Sequence, residues 1–403
     1  MNQRIVVIGG GVGGLAAAID LATAGCDVVL FEAADRVGGK MGEIRSDGFR
    51  WDTGPSVITM PDVLTGLLRD SGVDPDNYLT LRPVEPITRY FWQDGKVLDI
   101  NRDLPRTLDG IRRVSEHDVE GWLDFLAYAA RLHRITGPMF LYGPPPRVTD
   151  LFRLKPRDAL NVDGMRTVAA AIDSFVKSPH LRQLLKRFAT YVGGDPFRAP
   201  APLNVIADVE INRGVTYPVG GIYAIAHALE KRARELGVAI YAGRTVDSIT
   251  VAHGAVCGVV LSDGERVESD SVVANADVAD VYERLLPAGV IPKREKERHG
   301  NAEPSSSGFA LMLGVKGQEK HLAHHNILFS SDYRREFREI FDEGVPPSEP
   351  TVYIAITSKT DPNHAPEGCE NWFVLVNVPA LGAHWDWALR KTEYRDRVIE
   401  RIE

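Results

Sequence analysis

Ile5-Val-Val-Ile8 runs directly into Gly9-Gly-Gly11-Val12-Gly13-Gly14, and Val28-Val-Leu-Phe31 ends on Glu32. A buried strand, a glycine turn and an acid at the tip of the next strand are the parts that bind a dinucleotide. Gly9 supplies the tight bend, Gly11 lets a pyrophosphate approach the backbone, and Gly14 lets the following helix pack closely on the strand. Val12 and Gly13 open that helix, whose unpaired N–H groups receive the phosphate at the positive end of the dipole. Glu32, 23 residues after Gly9, is placed to accept hydrogen bonds from both ribose hydroxyls. Its charge would repel a 2'-phosphate, which argues against NADP.

The residues after Glu32 narrow the nucleotide. Pyridine-nucleotide units usually continue straight into another helix, whereas here Arg36, Gly38, Gly39 and Lys40 follow within eight residues of the acid. Two glycines flanked by cations form a second close-approach backbone, which suits a long, doubly phosphorylated ligand such as FAD. Thr53-Gly54-Pro55 then offers backbone that can pass close to a flat ring, a plain turn being the rival reading.

Elements that would position these residues can be read from periodicity. Strands are expected at Arg4 to Ile8 and Asp27 to Phe31, with a helix from Val12 to Ala24 stopped by Gly25. A helix from Pro61 to Ser71 and a hairpin turning at Trp92-Gln-Asp-Gly-Lys96 come next. Residues 105–214 read as mostly helical, with apolar positions three and four apart in Glu116 to Ile135, Val162 to Phe175 and Pro179 to Tyr191. From Tyr217 the α/β character returns: a helix from Ile222 to Leu236, strands at Ala239 to Tyr241, Val246 to Val251 and Val256 to Leu261, and a buried-looking strand, Ser271 to Ala274. His253-Gly254 and Asp263-Gly264 mark hairpin turns between strands. The expectation is an α/β, Rossmann-like nucleotide domain made of residues 1–104 and 215–285. An α+β or helical substrate domain, 105–214 with 286–403, would be inserted into it.

Composition limits the partners. With 403 residues, 44% hydrophobic and 25% charged, there is room for two or three domains. A net charge of -8 argues against nucleic acid. Cys26, Cys257 and Cys369 are too scattered for a disulfide scaffold or a zinc site, so no metal is expected and a reducing cytoplasm suits the chain. No apolar run approaches the roughly 18 residues of a spanning helix. Between Arg131 and Arg157, however, six Lys or Arg face a single acid, Asp150, interleaved with Pro138-Met-Phe-Leu-Tyr142 and Leu151-Phe152. That mixture suits a peripheral, monotopic membrane contact; a proline-rich surface loop is the plainer reading.

The run Glu32 to Pro55, with Gly193-Gly-Asp-Pro196, Ala199-Pro200, Tyr217-Pro-Val-Gly-Gly221, Asn275-Ala-Asp277, Leu322-Ala-His-His-Asn326 and Ala365-Pro-Glu-Gly-Cys369, resembles the bacterial-type phytoene desaturases. These are FAD-dependent, amine oxidase-like flavoproteins with a glutathione reductase-like nucleotide domain. The resemblance implies desaturation of C–C single bonds in phytoene or a related hydrophobic polyene, with oxygen or a quinone as electron acceptor. Carotenoid isomerisation, desaturation of a hydroxylated carotenoid, amine oxidation and non-catalytic binding of prenylated partners are its alternatives. It also implies that backbone at Val246 touches the adenine side of FAD and that Asn275 lies near the cofactor. As sequence, Val246 reads equally as a core valine, and Asn275-Ala-Asp277 as a turn or helix cap.

No catalytic residue stands out. His324 and His325 precede an apolar strand in which neighbours point to opposite faces, so at most one would meet a substrate, and a satisfied or surface histidine is the favoured reading. Asp195 before Pro196 reads as a turn residue. The final stretch, Arg395 to Glu403, is helical without a stop signal, and related desaturases continue for about a hundred residues more. The expectation from this is a truncated chain with a part-open cofactor site, exposed apolar surface and weak FAD binding at best.

Overall fold

The strand Arg4–Ile8 lies between two parallel neighbours, Asp27–Phe31 and Ser271–Ala274, with Ala239–Tyr241 beyond Asp27–Phe31. A strand covered on both faces must be apolar at every position rather than at alternate ones, and Val6 and Val7 are each fully buried. Val7 packs with Leu15 and Ile19 of the helix Val12–Thr23 and with Ile225 and Leu229 of the helix Tyr223–Glu235. Val6 and Ile8 face the other way, onto Val246, Ile249 and Leu261. Those residues belong to an antiparallel sheet of Val246–Ala252, Ala255–Leu261 and Arg266–Glu268. Burying each Leu or Ile side chain contributes about 1.5–3 kcal/mol, so the two layers clamp the parallel sheet from both sides.

The structure is a computed structural model that describes residues 3–143, 158, 161–382 and 384–403. It divides into two units, residues 1–82 with 216–303 and residues 83–215 with 304–403. The parallel sheet and its two covering layers are the first unit.

A six-stranded sheet forms the second unit, in the order Ser307–Lys316, Cys369–Val378, Val352–Ile356, His325–Leu328, Thr88–Phe91, Val97–Ile100. All pairs are antiparallel except His325–Leu328 with Thr88–Phe91, where Ile327 stands opposite Tyr90. The hairpin around Trp92 therefore forms as its turn residues dictate. Its place differs from the expectation, which put residues up to 104 in the nucleotide domain; the strand that completes it lies more than 200 positions downstream. Conversely, residues 286–303 fall in the first unit rather than the second.

Helices Leu104–Ser115, Val119–Phe140, Val168–Asp173 and Pro179–Lys186 supply the helical part. The last is shorter than its periodicity suggests, because Arg187–Val192 continues as a 3₁₀ segment ended by Gly193 in a left-handed conformation, φ +62°. Among the described residues no helix is long and apolar enough to cross a membrane. On the helix Trp387–Ile402, Tyr394 and Val398 are buried against Val352, Ile354 and Val376 of the sheet, while Leu389 is 81% exposed.

Candidate functional site

In the first unit the glycine turn and the second glycine cluster are joined by backbone. Gly38 donates its N–H to the carbonyl of Gly10 at 2.8 Å, and Gly11 and Gly38 form a parallel bridge. A cleft of about 580 Å³ opens along this seam. Its lining contains Gly9, Gly11, Val12, Gly13, Glu32, Gly39, Lys40, Pro55 and Asn275, together with Gly38, Met41, Ala276 and Asp277.

Side chains could not replace the glycines. A Cβ at Gly9, where φ is +93°, would stand 2.7 Å from the carbonyl oxygen of Asn275, and one at Gly14 would stand 2.0 Å from the carbonyl oxygen of Gly9. Gly14 thus sits behind the cleft and lets the helix close on the strand. Gly11 precedes that helix without a side-chain cap, and no acid occupies the first turn. The helix start is consequently open to an anion.

Glu32 sits at the end of its strand with both carboxylate oxygens held by backbone: Oε2 accepts from Gly10 at 2.6 Å and Oε1 from Ala34 at 2.8 Å. Each oxygen keeps a further lone pair, which is what two ribose hydroxyls need. Glycine cradle, open helix start, fixed acid and neighbouring Lys40 together fit the diphosphate and ribose of FAD.

Besides Gly14, four residues proposed from sequence occupy other positions. Arg36 points away, donating to the Glu43 carbonyl at 2.7 Å and lying 5.0 Å from the Tyr223 ring centroid, so Lys40 is the cation of that cluster on the cleft. Val246 is buried against Ile8 and Phe31, because it begins the strand that covers the parallel sheet. Thr53 stands one step back from the lining, its N–H donating to Gly42 at 3.1 Å. Gly54 lies against Lys40, whose carbonyl oxygen would be 1.9 Å from an added Cβ. From there the chain brings Pro55 to the cleft.

Asn275 reaches the cleft from the end of the strand Ser271–Ala274, its N–H donating to Ile8 at 2.8 Å. Its amide oxygen would lie 2.7 Å from a Cβ at Gly13. Asp277 lines the cleft and also caps the next helix through Ala279. Met41 and Ala276 carry no chemical signal in the sequence and reach the cleft only because their neighbours do.

Within the second unit, His324 and His325 are both buried, and burial lowers His324 to about 3 and holds His325 well below the ordinary imidazole value. His325 Nδ1 pairs with the Tyr353 hydroxyl at 2.8 Å. Asp195 accepts the Phe197 N–H at 2.8 Å, as a turn residue does. Sequence reasoning missed a buried pair there, Arg187 with Glu210 at 2.7 Å, to which the Tyr191 hydroxyl also donates.

Comparisons with known proteins agree with this geometry. Residues 12–403 match the family of flavin containing amine oxidoreductases. The 4,4'-diaponeurosporene oxygenase of Staphylococcus haemolyticus is 35% identical over 404 residues, covering all of this chain and 80% of that protein. An oxidoreductase from Methanosarcina mazei shares the fold with a TM-score of 0.69 at 19% identity, over 99% of this chain and 84% of that one. Rab GDI of Plasmodium falciparum superposes with a TM-score of 0.59 at 13% identity, over 99% and 86% respectively. The fold is thus a Rossmann-like FAD-binding one, and the chain, an FAD-dependent oxidoreductase, belongs to the flavin containing amine oxidoreductase family.

Proposed function

We propose that this flavoenzyme oxidises a linear, hydrophobic polyene of the carotenoid class by removing hydrogen from its C–C single bonds, phytoene or a close relative being the substrate. The observation that carries the reading is the identity, spread over the whole chain, with a protein named for oxidation of such a polyene. Bound FAD supplies the two-electron oxidation. Gly9, Gly11, Val12 and Gly13 hold its diphosphate, Glu32 its ribose, and Gly39, Lys40, Pro55 and Asn275 the remainder of its length. Oxygen or a quinone then takes the electrons.

A second reading, introduction of oxygen into the polyene, is favoured by the name of that relative. One experiment separates them: expression in cells that accumulate phytoene and in cells that accumulate 4,4'-diaponeurosporene, with mass and absorption spectra of the extracted pigments. Loss of two hydrogens per step with a red-shifted chromophore supports desaturation. Gain of oxygen supports the second reading, and unchanged pigments in both hosts overturn both.

Exposed Leu141 and Tyr142 within the basic stretch 131–157, and Met165 after it, 98% exposed, support a peripheral membrane contact that would deliver a lipid-dissolved substrate. Residues 144–157 of that stretch lie outside the described residues.

A further inference from the structure

One buried carboxylate in the first unit touches the roots of several cleft walls without lining the cleft. Asp52, 2% exposed, ends the strand Phe49–Asp52. Its Oδ1 accepts Nη2 of Arg50 at 2.7 Å and the backbone N–H of Ile222 at 2.9 Å, and its Oδ2 accepts the Tyr217 hydroxyl at 2.6 Å. Arg50, itself 3% exposed, donates through Nε to Glu43 at 2.7 Å. Its guanidinium fills the space that a Cβ at Gly221, φ +88°, would need.

Two routes lead from Asp52 to the cleft. Ile222 immediately precedes the helix Tyr223–Glu235, so the carboxylate caps that helix from a strand far away in sequence. Tyr223 and Ala226 of the helix then press on the second glycine cluster: a Cβ at Gly38 would stand 2.9 Å from the Tyr223 ring and 3.2 Å from the Ala226 methyl. The other route is covalent. Thr53 follows Asp52 and holds Gly42, and Gly54 lies on the Lys40 carbonyl before Pro55 enters the lining.

We propose that Asp52 is the positioning residue of the FAD cleft. It sets Gly38 to Lys40 from behind, through the helix on one side and through Thr53 to Pro55 on the other, with Tyr217 and Arg50 fixing the carboxylate itself. A carboxylate with three directional donors has one orientation, and both routes inherit it. The inference rests on FAD being the ligand of the cleft.

Fluorescence titration of FAD into the wild-type chain, D52N and Y217F tests it, with thermal melts of the FAD-free proteins alongside. D52N is expected to weaken FAD binding about tenfold or more, and Y217F severalfold. Both should shift the visible absorption bands of the bound flavin, because the turns facing it move. An Asp52 that merely stabilises the unit would lower the melting temperature and leave FAD affinity within twofold of wild type and the bands in place; that result overturns the proposal. Should D52N fail to fold, Y217F decides by the same criteria, since it keeps the carboxylate and its arginine and loses one hydrogen bond. A wild-type chain that quenches no FAD fluorescence at any concentration sinks the cofactor assignment itself, and the positioning role with it.

Discussion

Glu32 Oε2 accepts the N–H of Gly10 across 2.6 Å, so the acid proposed to meet the ribose is held by the turn proposed to meet the phosphates. The two halves of the nucleotide site are one hydrogen-bonded unit. E32Q places an amide where two backbone N–H groups need acceptors. It should weaken FAD binding about tenfold or more, since hydrogen bonds to a charged group are worth roughly 1.5–3 kcal/mol. Equal affinity of E32Q and wild type in a fluorescence titration would remove Glu32 from the site.

Glycines in this chain differ sharply in what a methyl group would meet. G14A and G54A force a Cβ to within 2.0 and 1.9 Å of backbone carbonyl oxygens. Each should cost about 1–3 kcal/mol of stability and abolish FAD binding. Gly66, in the helix Pro61–Asp70, has nothing within 4 Å of that position, so G66A should raise the melting temperature, by roughly 0.5–1 kcal/mol of stability. Melting curves of the three variants check both signs.

Burial raises the carboxyl of Glu336 from 4.5 to about 7, although Ser330 and Thr351 both donate to it at 2.7 Å. In the folded chain the group holds its proton where the unfolded chain has released it. Its stabilising contribution is thus complete below about pH 4.5 and is lost as pH rises through about 7. The melting temperature of wild type should fall relative to E336Q across that window. Parallel curves for the two proteins from pH 4.5 to 8 would show that Glu336 titrates alike in the folded and the unfolded chain.

A membrane contact through residues 131–157 depends on cations. The variant with Arg147, Arg153, Lys155 and Arg157 all changed to Glu should lose most of its sedimentation with anionic liposomes at low salt. Sedimentation equal to wild type would refute the contact.

What sequence revealed of the site was what is local. Gly9, Gly11, Gly14 and Glu32 act within one strand, turn, helix and strand, and each residue type has a single physical reason to be there. Side-chain direction was harder to read. Arg36 and Lys40 are equivalent cations in sequence, and the Glu43 carbonyl together with the Tyr223 ring, packed beside Gly38, explains why Arg36 turns away. Val246 reads as strand either way, and burial under the parallel sheet decides its role. Pairings over long separations left no local trace: Tyr217 reaches Asp52 over 165 positions, and Thr88–Phe91 waits for His325–Leu328. The mixed sheet of the second unit was invisible for the same reason.

The parallel pairing of Arg4–Ile8 with Ser271–Ala274 also sets a timetable. A ribosome emits the fingerprint first, yet the strand that completes its sheet, and Asn275 behind its glycines, emerge only after the intervening residues have been made. At about 5–20 residues per second the delay is roughly half a minute. Throughout it the N-terminal strand has an open edge and the turn has no backing, so a complete cradle for FAD exists only once Asn275 has emerged, and FAD cannot template the start of the folding.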